Sequence, residues 1–194
     1  VVREFDPEVI VHLGVYEPNA RLAGAAAQRG TAASAVSVLG AASSCPSLRS
    51  IVVRSGIEVY GRGRGSVSRP DETVAVRPTS PFGNSLALVE RVAREAAQAA
   101  DVPVSFIRCA PIVGPSFPSP VGRYLRLPVV AVNPLAELPF SLLHQEDAAH
   151  AFVAAAAAAH DGPLNVCGTG AVTASQAVRI GRRVPLPVMG PGWW

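Results

Sequence analysis

The side chains able to do acid–base, nucleophilic or metal chemistry are few and scattered. Lys is absent, and all 17 basic residues are Arg. That rules out a Schiff base, a phosphate-loop lysine and a lysine that lowers a tyrosine pKa. Cys45, Cys109 and Cys167 stand far apart with no Cys-x-x-Cys, and read as buried or reduced thiols without a disulfide or metal role. His144, Asp147 and His150 fall near one face of a predicted helix; Asp147 reads as its cap, and no metal site is expected. His12 sits inside an apolar run and reads as a core histidine. Glu58 and Tyr60 bring a carboxyl and a phenol close behind a predicted strand. Gly61-Arg62-Gly63-Arg64-Gly65 has the glycine content of a phosphate loop. Such a loop must join a strand to a helix N-terminus, whose free N–H groups face the anion. Here a polar stretch with Pro70, Asp71 and Glu72 follows, so the segment reads as a surface loop.

Several elements have to position these groups. Val9-Ile10-Val11-His12-Leu13 is a continuous apolar run of strand length, as a parallel strand covered on both faces requires. Residues 19–44 read as a small-residue helix long enough for a crossover. Ser50-Ile51-Val52-Val53-Arg54-Ser55 is a second strand, and Ser55 should face opposite to Gly56 by strand alternation. Ser80 followed by Pro81 opens a helix over residues 80–100, because Pro suits the first turn and Ser can cap it. Leu86, Leu88, Val89 and Val92 line its buried side, while Glu90 and Arg94 are spaced to pair one turn apart. Residues 102–108 form a third strand. Beyond Pro115 come Pro-rich short pieces, a helix through 122–125, a strand at 129–131, an Ala-rich helix over 148–159, a strand and turn over 162–170, and a helix beginning at Gln176.

Composition narrows the partners. The 194 residues suit a domain with a real core, and hydrophobic content is 49% with a mean hydropathy of +0.30, much of it Ala. The apolar stretch at residues 152–159 falls well short of the roughly 20 needed to span a bilayer. Arg3, Glu4 and Asp6 interrupt any signal-peptide pattern near Val1. The expectation is therefore a cytoplasmic protein with no membrane partner. A net charge of +3 is too small to argue for nucleic acid. The start at Val1 and the end on Trp193-Trp194 read as cut ends of a longer polypeptide.

The motifs then carry a resemblance. Ser80-Pro81-Phe82-Gly83-Asn84-Ser85-Leu86 resembles the Ser-Pro-Tyr-Gly-x-Ser-Lys helix of the extended short-chain dehydrogenase/reductases, the NAD-dependent epimerase/dehydratase family. Ser55-Gly56-Ile57-Glu58-Val59-Tyr60-Gly61 resembles its Ser-Ser-x-x-Val-Tyr-Gly, Val9 to Gly14 its Val-Val-His-Leu-Ala strand, and Arg108 to Pro115 its Arg-x-x-Asn-x-x-Gly-Pro. His144 with Asp147, and Leu164 to Gly170, resemble landmarks of its C-terminal lobe. The landmarks keep the family's order from Val9 to Ala177, with actinobacterial UDP-glucose 4-epimerase-like proteins the nearest branch. The resemblance implies an α/β fold: part of a Rossmann-like doubly wound parallel sheet over residues 1–116, and part of a small C-terminal substrate lobe over 117–194. It also implies NAD as cofactor, a nucleotide sugar as ligand and a homodimer through helices. Its cofactor-binding positions map to Gly14, Ser55 and Ala110, and its substrate-binding positions to Pro111 and Phe140.

At its catalytic positions the family uses Ser or Thr, Tyr and Lys; this chain has Gly56, Phe82 and Leu86. None can carry or steer a proton. The Gly-x-x-Gly-x-x-Gly turn that would cradle the pyrophosphate is absent from the chain. Three readings follow: a catalytically degenerate relative that keeps ligand binding in its full-length form; an active oxidoreductase or epimerase using Tyr60, Glu58 or His144; and a non-enzymatic interaction subunit using its Ala-rich helices.

Overall fold

The computed structural model describes residues 1–16, 24–63, 66–117, 119–134 and 137–188. The Arg64-Gly65 part of the glycine-arginine loop and the terminal Trp193-Trp194 lie outside them. The chain forms two compact units. The first comprises Val1–Cys109 with Ala149–Val166, and the second Ala110–Ala148 with the remainder. The chain thus crosses between them at three points, where the sequence reading draws one boundary at 116/117.

In the first unit a short helix α1 (Val2–Phe5) precedes strand β1 (Val9–His12), helix α2 (Gly24–Leu39), strand β2 (Ser50–Gly56), helix α3 (Pro81–Ala100) and strand β3 (Val104–Cys109). Strand β7 (Gly162–Val166) returns later in the chain to complete a four-stranded sheet of order β1-β2-β3-β7, all parallel. The register decides which side chains meet. Ile10, Ile51 and Val104 stand in one row, Val53, Phe106 and Pro163 in the next, and Ser55, Arg108 and Asn165 in the third. The first two rows are mostly apolar. Ile10, Ile51, Val53, Val104 and Phe106 form one core with Ala35 and Leu39 of α2 and Leu86, Val89, Ala93 and Ala97 of α3. The third row is polar, and it sits toward the C-terminal ends of the strands.

Helix α2 ends at Leu39, before the expected Ser44. Its expected first residues, 19–23, lie outside the described residues, and its C-terminus is set by Gly40, whose N–H closes on the Val36 carbonyl at 3.0 Å. Ala27, Thr31, Ala35 and Leu39 are its buried stripe, one residue per turn. Helix α3 begins as the Ser-Pro pair dictates: Oγ of Ser80 accepts from the Gly83 N–H at 3.0 Å, and Pro81 takes the first turn.

The second unit holds two small parallel pairs. Strand β4 (Ile112–Val113) pairs with β6 (Leu143–His144), and β5 (Val129–Val132) pairs with β8 (Val184–Pro187). Helices α4 (Pro120–Leu125) and α6 (Ala174–Ile180) accompany them, and Val130, Val132 and Val178 form its core. Helix α6 starts before the expected Gln176 because Thr173 and Gln176 make a reciprocal capping box. Helix α5 (Gln145–Ala158) also starts early. It places Asp147 in its first turn, where a carboxylate suits the helix dipole, instead of at the expected cap.

Candidate functional site

Ligands of parallel α/β sheets bind outside the carboxyl ends of the strands, so the polar third row and the residues just beyond it are where a site has to be built. Strand β2 ends at Gly56, and a tight helical turn over Ile57–Tyr60 follows it. A Cβ added at Gly56 would lie 2.5 Å from Oε2 of Glu58 and 3.1 Å from Cδ1 of Leu86. A side chain at position 56 would therefore have to displace the flexible end of Glu58 and press on Leu86. Gly83 serves a second close approach: a Cβ there would meet the Glu58 carbonyl at 2.6 Å, so a glycine lets the first turn of α3 come against the turn after β2.

Gly56 and Leu86 are thus brought together, as neighbours at one strand end. Leu86 is 1% exposed and belongs to the core. Phe82, half-buried in the first turn of α3, packs against the same core. The side chains at these two positions are anchored in apolar surroundings and present no titratable group.

Ser55 does not join them. It lies on the helix-covered face, and its hydroxyl donates to Oε1 of Glu90 at 2.6 Å. Glu90 is the largest departure from the sequence reading. It is buried, at 2% exposure, and its partner is Arg108 of β3 in place of the expected Arg94. The guanidinium grips the carboxylate through two bonds, Nε to Oε1 at 2.9 Å and Nη2 to Oε2 at 2.8 Å. Arg94 instead rests over the Phe106 ring, 4.7 Å from its centroid. The helical period explains the exchange. Position 90 falls within the stripe of Leu86, Val89, Ala93 and Ala97, so Glu90 turns inward where Arg108 is the available cation.

The network continues past Arg108. Its Nη1 donates to the Tyr60 hydroxyl at 2.8 Å, the guanidinium stacks 4.9 Å from the Tyr60 ring centroid, and the hydroxyl donates to Oδ1 of Asn165 at 2.8 Å. Burial disfavours the charge on Arg108, but the Glu90 carboxylate and the Tyr60 hydroxyl outweigh it and hold the pKa above its ordinary value. The Tyr60 hydroxyl has one donor and one acceptor contact and is committed to the frame. Two sequence signals could have found this network: a Glu inside an apolar helical stripe, and an Arg inside a buried strand. Asn165 carried no such signal.

Near the same strand ends Cys109 is buried. Burial pushes its thiol up to about 11, with Arg54 opposing the shift and Glu58 adding to it. The thiol is therefore protonated at neutral pH and a poor nucleophile. Beyond β1, Gly14 is half-buried, and a Cβ there would meet Oγ of Ser34 and, at 3.1 Å, Nε2 of His12. His12 is 3% exposed and its Nε2 lies 3.1 Å from Ser34 Oγ; burial lowers its pKa. Cys45 is buried like Cys109, Cys167 is exposed, and all three are free thiols.

In the second unit Ala110 is buried, Pro111 accepts the Leu143 N–H at 3.1 Å, and Phe140 makes an antiparallel bridge with Val172. His144 is exposed, 4.0 Å from the Glu146 carboxylate, and His150 and Asp147 are exposed as well. Among the described residues no group of three His, Cys, Asp or Glu side chains could hold a metal ion. No helix among them is long and apolar enough to cross a membrane.

Of the side chains mapped to the cofactor, Ser55 is turned to the helix face and committed to Glu90, and Gly14 and Ala110 offer backbone alone. The described residues contain no glycine-rich turn leading into a helix, so they do not build a pyrophosphate cradle.

The profile of the NAD dependent epimerase/dehydratase family matches residues 1–167. An uncharacterized protein of Mycobacterium tuberculosis is 30% identical over 100% of this chain and 53% of its own length, and one of Mycobacterium bovis matches to the same extent. The chain therefore spans about half the length of the curated relatives it matches. Among solved structures, a Thermus thermophilus UDP-glucose 4-epimerase in complex with NAD superimposes with a TM-score of 0.77 at 19% identity, covering 96% of this chain and 67% of the other. A Bacillus anthracis dTDP-glucose 4,6-dehydratase in complex with NAD gives 0.75 at 20%, covering 97% and 63%. At these identities the likeness is one of fold.

Proposed function

Because the chain belongs to the NAD dependent epimerase/dehydratase family, we propose that the protein its gene encodes is a nucleotide-sugar-binding member that lacks the family's proton-transfer chemistry. The single observation behind this reading is the strand-end cluster at Gly56. Position 56 has no side chain, the flexible Glu58 carboxylate and Leu86 stand beside it, and the two helix positions are the apolar Phe82 and Leu86. Reversible oxidation of a sugar hydroxyl needs a group that takes its proton, and removal of such a group costs typically about 10²–10⁴ in rate. NAD would supply hydride acceptance when bound. The described residues do not build its pyrophosphate cradle, so NAD binding is a proposal for the polypeptide of family length. So are the division into a nucleotide-binding unit and a substrate-binding lobe, the cytoplasmic setting and a homodimer through α2.

The test uses the protein as its gene encodes it. Calorimetry with NAD and with UDP-glucose should detect binding, while NAD-dependent conversion of UDP-glucose should stay at least about 10³-fold below a family epimerase assayed beside it. Turnover at the epimerase's own rate refutes the reading.

One observation favours a second reading, an enzyme with a non-standard acid or base. The Glu58 carboxylate stands beside Gly56 at the strand end. The Tyr60 hydroxyl is bound into the Arg108–Asn165 network and His144 is exposed, so Glu58 is the stronger of the three candidates. On this reading a measurable turnover exists, and Glu58→Gln abolishes it without loss of UDP-glucose binding. Unchanged turnover in that variant removes Glu58 from consideration.

A further inference from the structure

The loop between β2 and α3 is tied down at two levels. Its base is held by the Arg77 N–H on the Val59 carbonyl at 2.9 Å, and by Thr79, whose hydroxyl accepts the Arg62 N–H at 2.9 Å and donates to the Arg62 carbonyl at 3.1 Å. Its tip is a self-contained turn. Oδ1 of Asp71 accepts from the N–H and hydroxyl of Thr73, which lowers the Asp71 pKa, and the Asp71 carbonyl accepts the Val74 N–H.

The tip then meets one residue of β7, and that residue is Asn165. The Asn165 backbone N–H donates to Oε1 of Glu72 at 2.7 Å, its side-chain Nδ2 donates to the Pro70 carbonyl at 3.0 Å, and its Oδ1 accepts from Tyr60. One asparagine therefore uses its backbone donor, side-chain donor and side-chain acceptor at once, two of them on the tip and one on the buried network. Asp71, Glu72 and Thr73 are exposed, while Pro70 and Val74 are half-buried. Val74 packs against the apolar core and anchors one end of the tip, while residues 70–73 are held by hydrogen bonds near water, which is the signature of a segment that opens locally. Asn165 lies near the carboxyl end of the edge strand β7, and Tyr60 lies just beyond the end of β2. The tip is thus seated at the carboxyl ends of the strands, the side of the sheet on which ligands of this architecture bind.

We infer that residues 70–73 form a strap that opens and closes at the carboxyl ends of the strands, with Asn165 as its latch and the core-packed Val74 as its fixed end. The latch reports to the core. The Ser55–Glu90–Arg108–Tyr60 chain fixes the Asn165 side chain through its Oδ1, so the strap closes onto two preset donors, the Asn165 N–H and Nδ2. Opening breaks the Glu72 and Pro70 bonds and leaves the Arg77 and Thr79 bonds at the base in place. This strap requires neither NAD nor a nucleotide sugar, so it stands or falls apart from the functional reading above.

Hydrogen exchange followed by mass spectrometry on the gene-encoded protein tests it. In Asn165→Ala, exchange in a peptide covering 66–79 should accelerate about tenfold, the equivalent of one lost hydrogen bond. Peptides from α3 and β3 should keep their rates. Glu72→Ala, at an exposed position whose loss cannot unfold the core, should accelerate the same peptide and free the Asn165 amide. Tyr60→Phe removes the hydroxyl that orients the latch and should give a smaller acceleration confined to the strap. Unchanged strap exchange in both Asn165→Ala and Glu72→Ala overturns the latch. Acceleration of the strap, α3 and β3 together in Glu72→Ala overturns it also, because the contact is then part of the global fold.

Discussion

Removing Arg108 should damage this protein more than removing any exposed charge, and the damage should depend on pH. In Arg108→Met the guanidinium disappears and Glu90, 2% exposed, keeps only the Ser55 hydroxyl as a donor. Breaking a buried pair from one side costs about 3–5 kcal/mol, about a fifth or more of the roughly 5–15 kcal/mol that holds a domain together. For a chain of 194 residues this is a fall in Tm of about 6–20 °C. The orphaned Glu90 relieves itself by taking up a proton, so its folded pKa rises above the unfolded value of about 4.3. A raised carboxyl pKa makes the penalty vanish below about pH 4 and grow by about 1.4 kcal/mol per pH unit above it until the folded pKa is reached. Urea denaturation of wild type and Arg108→Met from pH 4.5 to 7.5, followed by far-ultraviolet circular dichroism, reads this as a midpoint gap that widens with pH. Glu90→Leu strands Arg108 instead and should cost as much at every pH in that range, because Arg does not titrate there. The double variant Glu90→Leu/Arg108→Met replaces the pair with apolar bulk and leaves two hydroxyls with one partner fewer, at about 1–3 kcal/mol. It should therefore be more stable than either single variant. A Tm loss under about 2 °C in Arg108→Met, a gap that does not vary with pH, or a double variant as unstable as the sum of the singles would refute the argument.

Three further outcomes follow from the same structure. Ser80→Ala removes the cap on α3 and should cost about 1 kcal/mol, seen as a lower urea midpoint with an unchanged slope; Ser80→Asp should restore it. Leu86→Lys puts a cation where the side chain is 1% exposed and should cost about 3 kcal/mol or more at pH 7, whereas Leu86→Met should cost under about 1.5 kcal/mol, compared by thermal melts. His12 has a pKa lowered by burial, so the unfolded chain binds its proton first as pH falls through 6.5. Stability should therefore drop as pH falls below that value and level off beneath the folded pKa, a step that urea midpoints should show for wild type and lose in His12→Asn.

Much of the fold was legible because its signals are local. The apolar runs at Val9 and Ser50 could only be covered parallel strands, and the Ser-Pro pair at residues 80–81 fixed where α3 begins. That Gly56, Phe82 and Leu86 carry no titratable group is a matter of residue type and needs no coordinates. Spacing along one helix, by contrast, misassigned Glu90 to Arg94, because an i,i+4 pair says nothing about a cation arriving from another strand. The buried Glu90–Arg108–Tyr60–Asn165 network joins residues far apart in the chain, and only the parallel register that sets Ser55, Arg108 and Asn165 side by side could assemble it. The same holds at the strand end. Sequence alone determined that position 56 carries no side chain, and tertiary packing decided that Glu58 and Leu86 fill the space it leaves. Residue type sets what a position can do chemically, while which groups face one another depends on strand order and helix rotation, neither of which is written in any single stretch of chain.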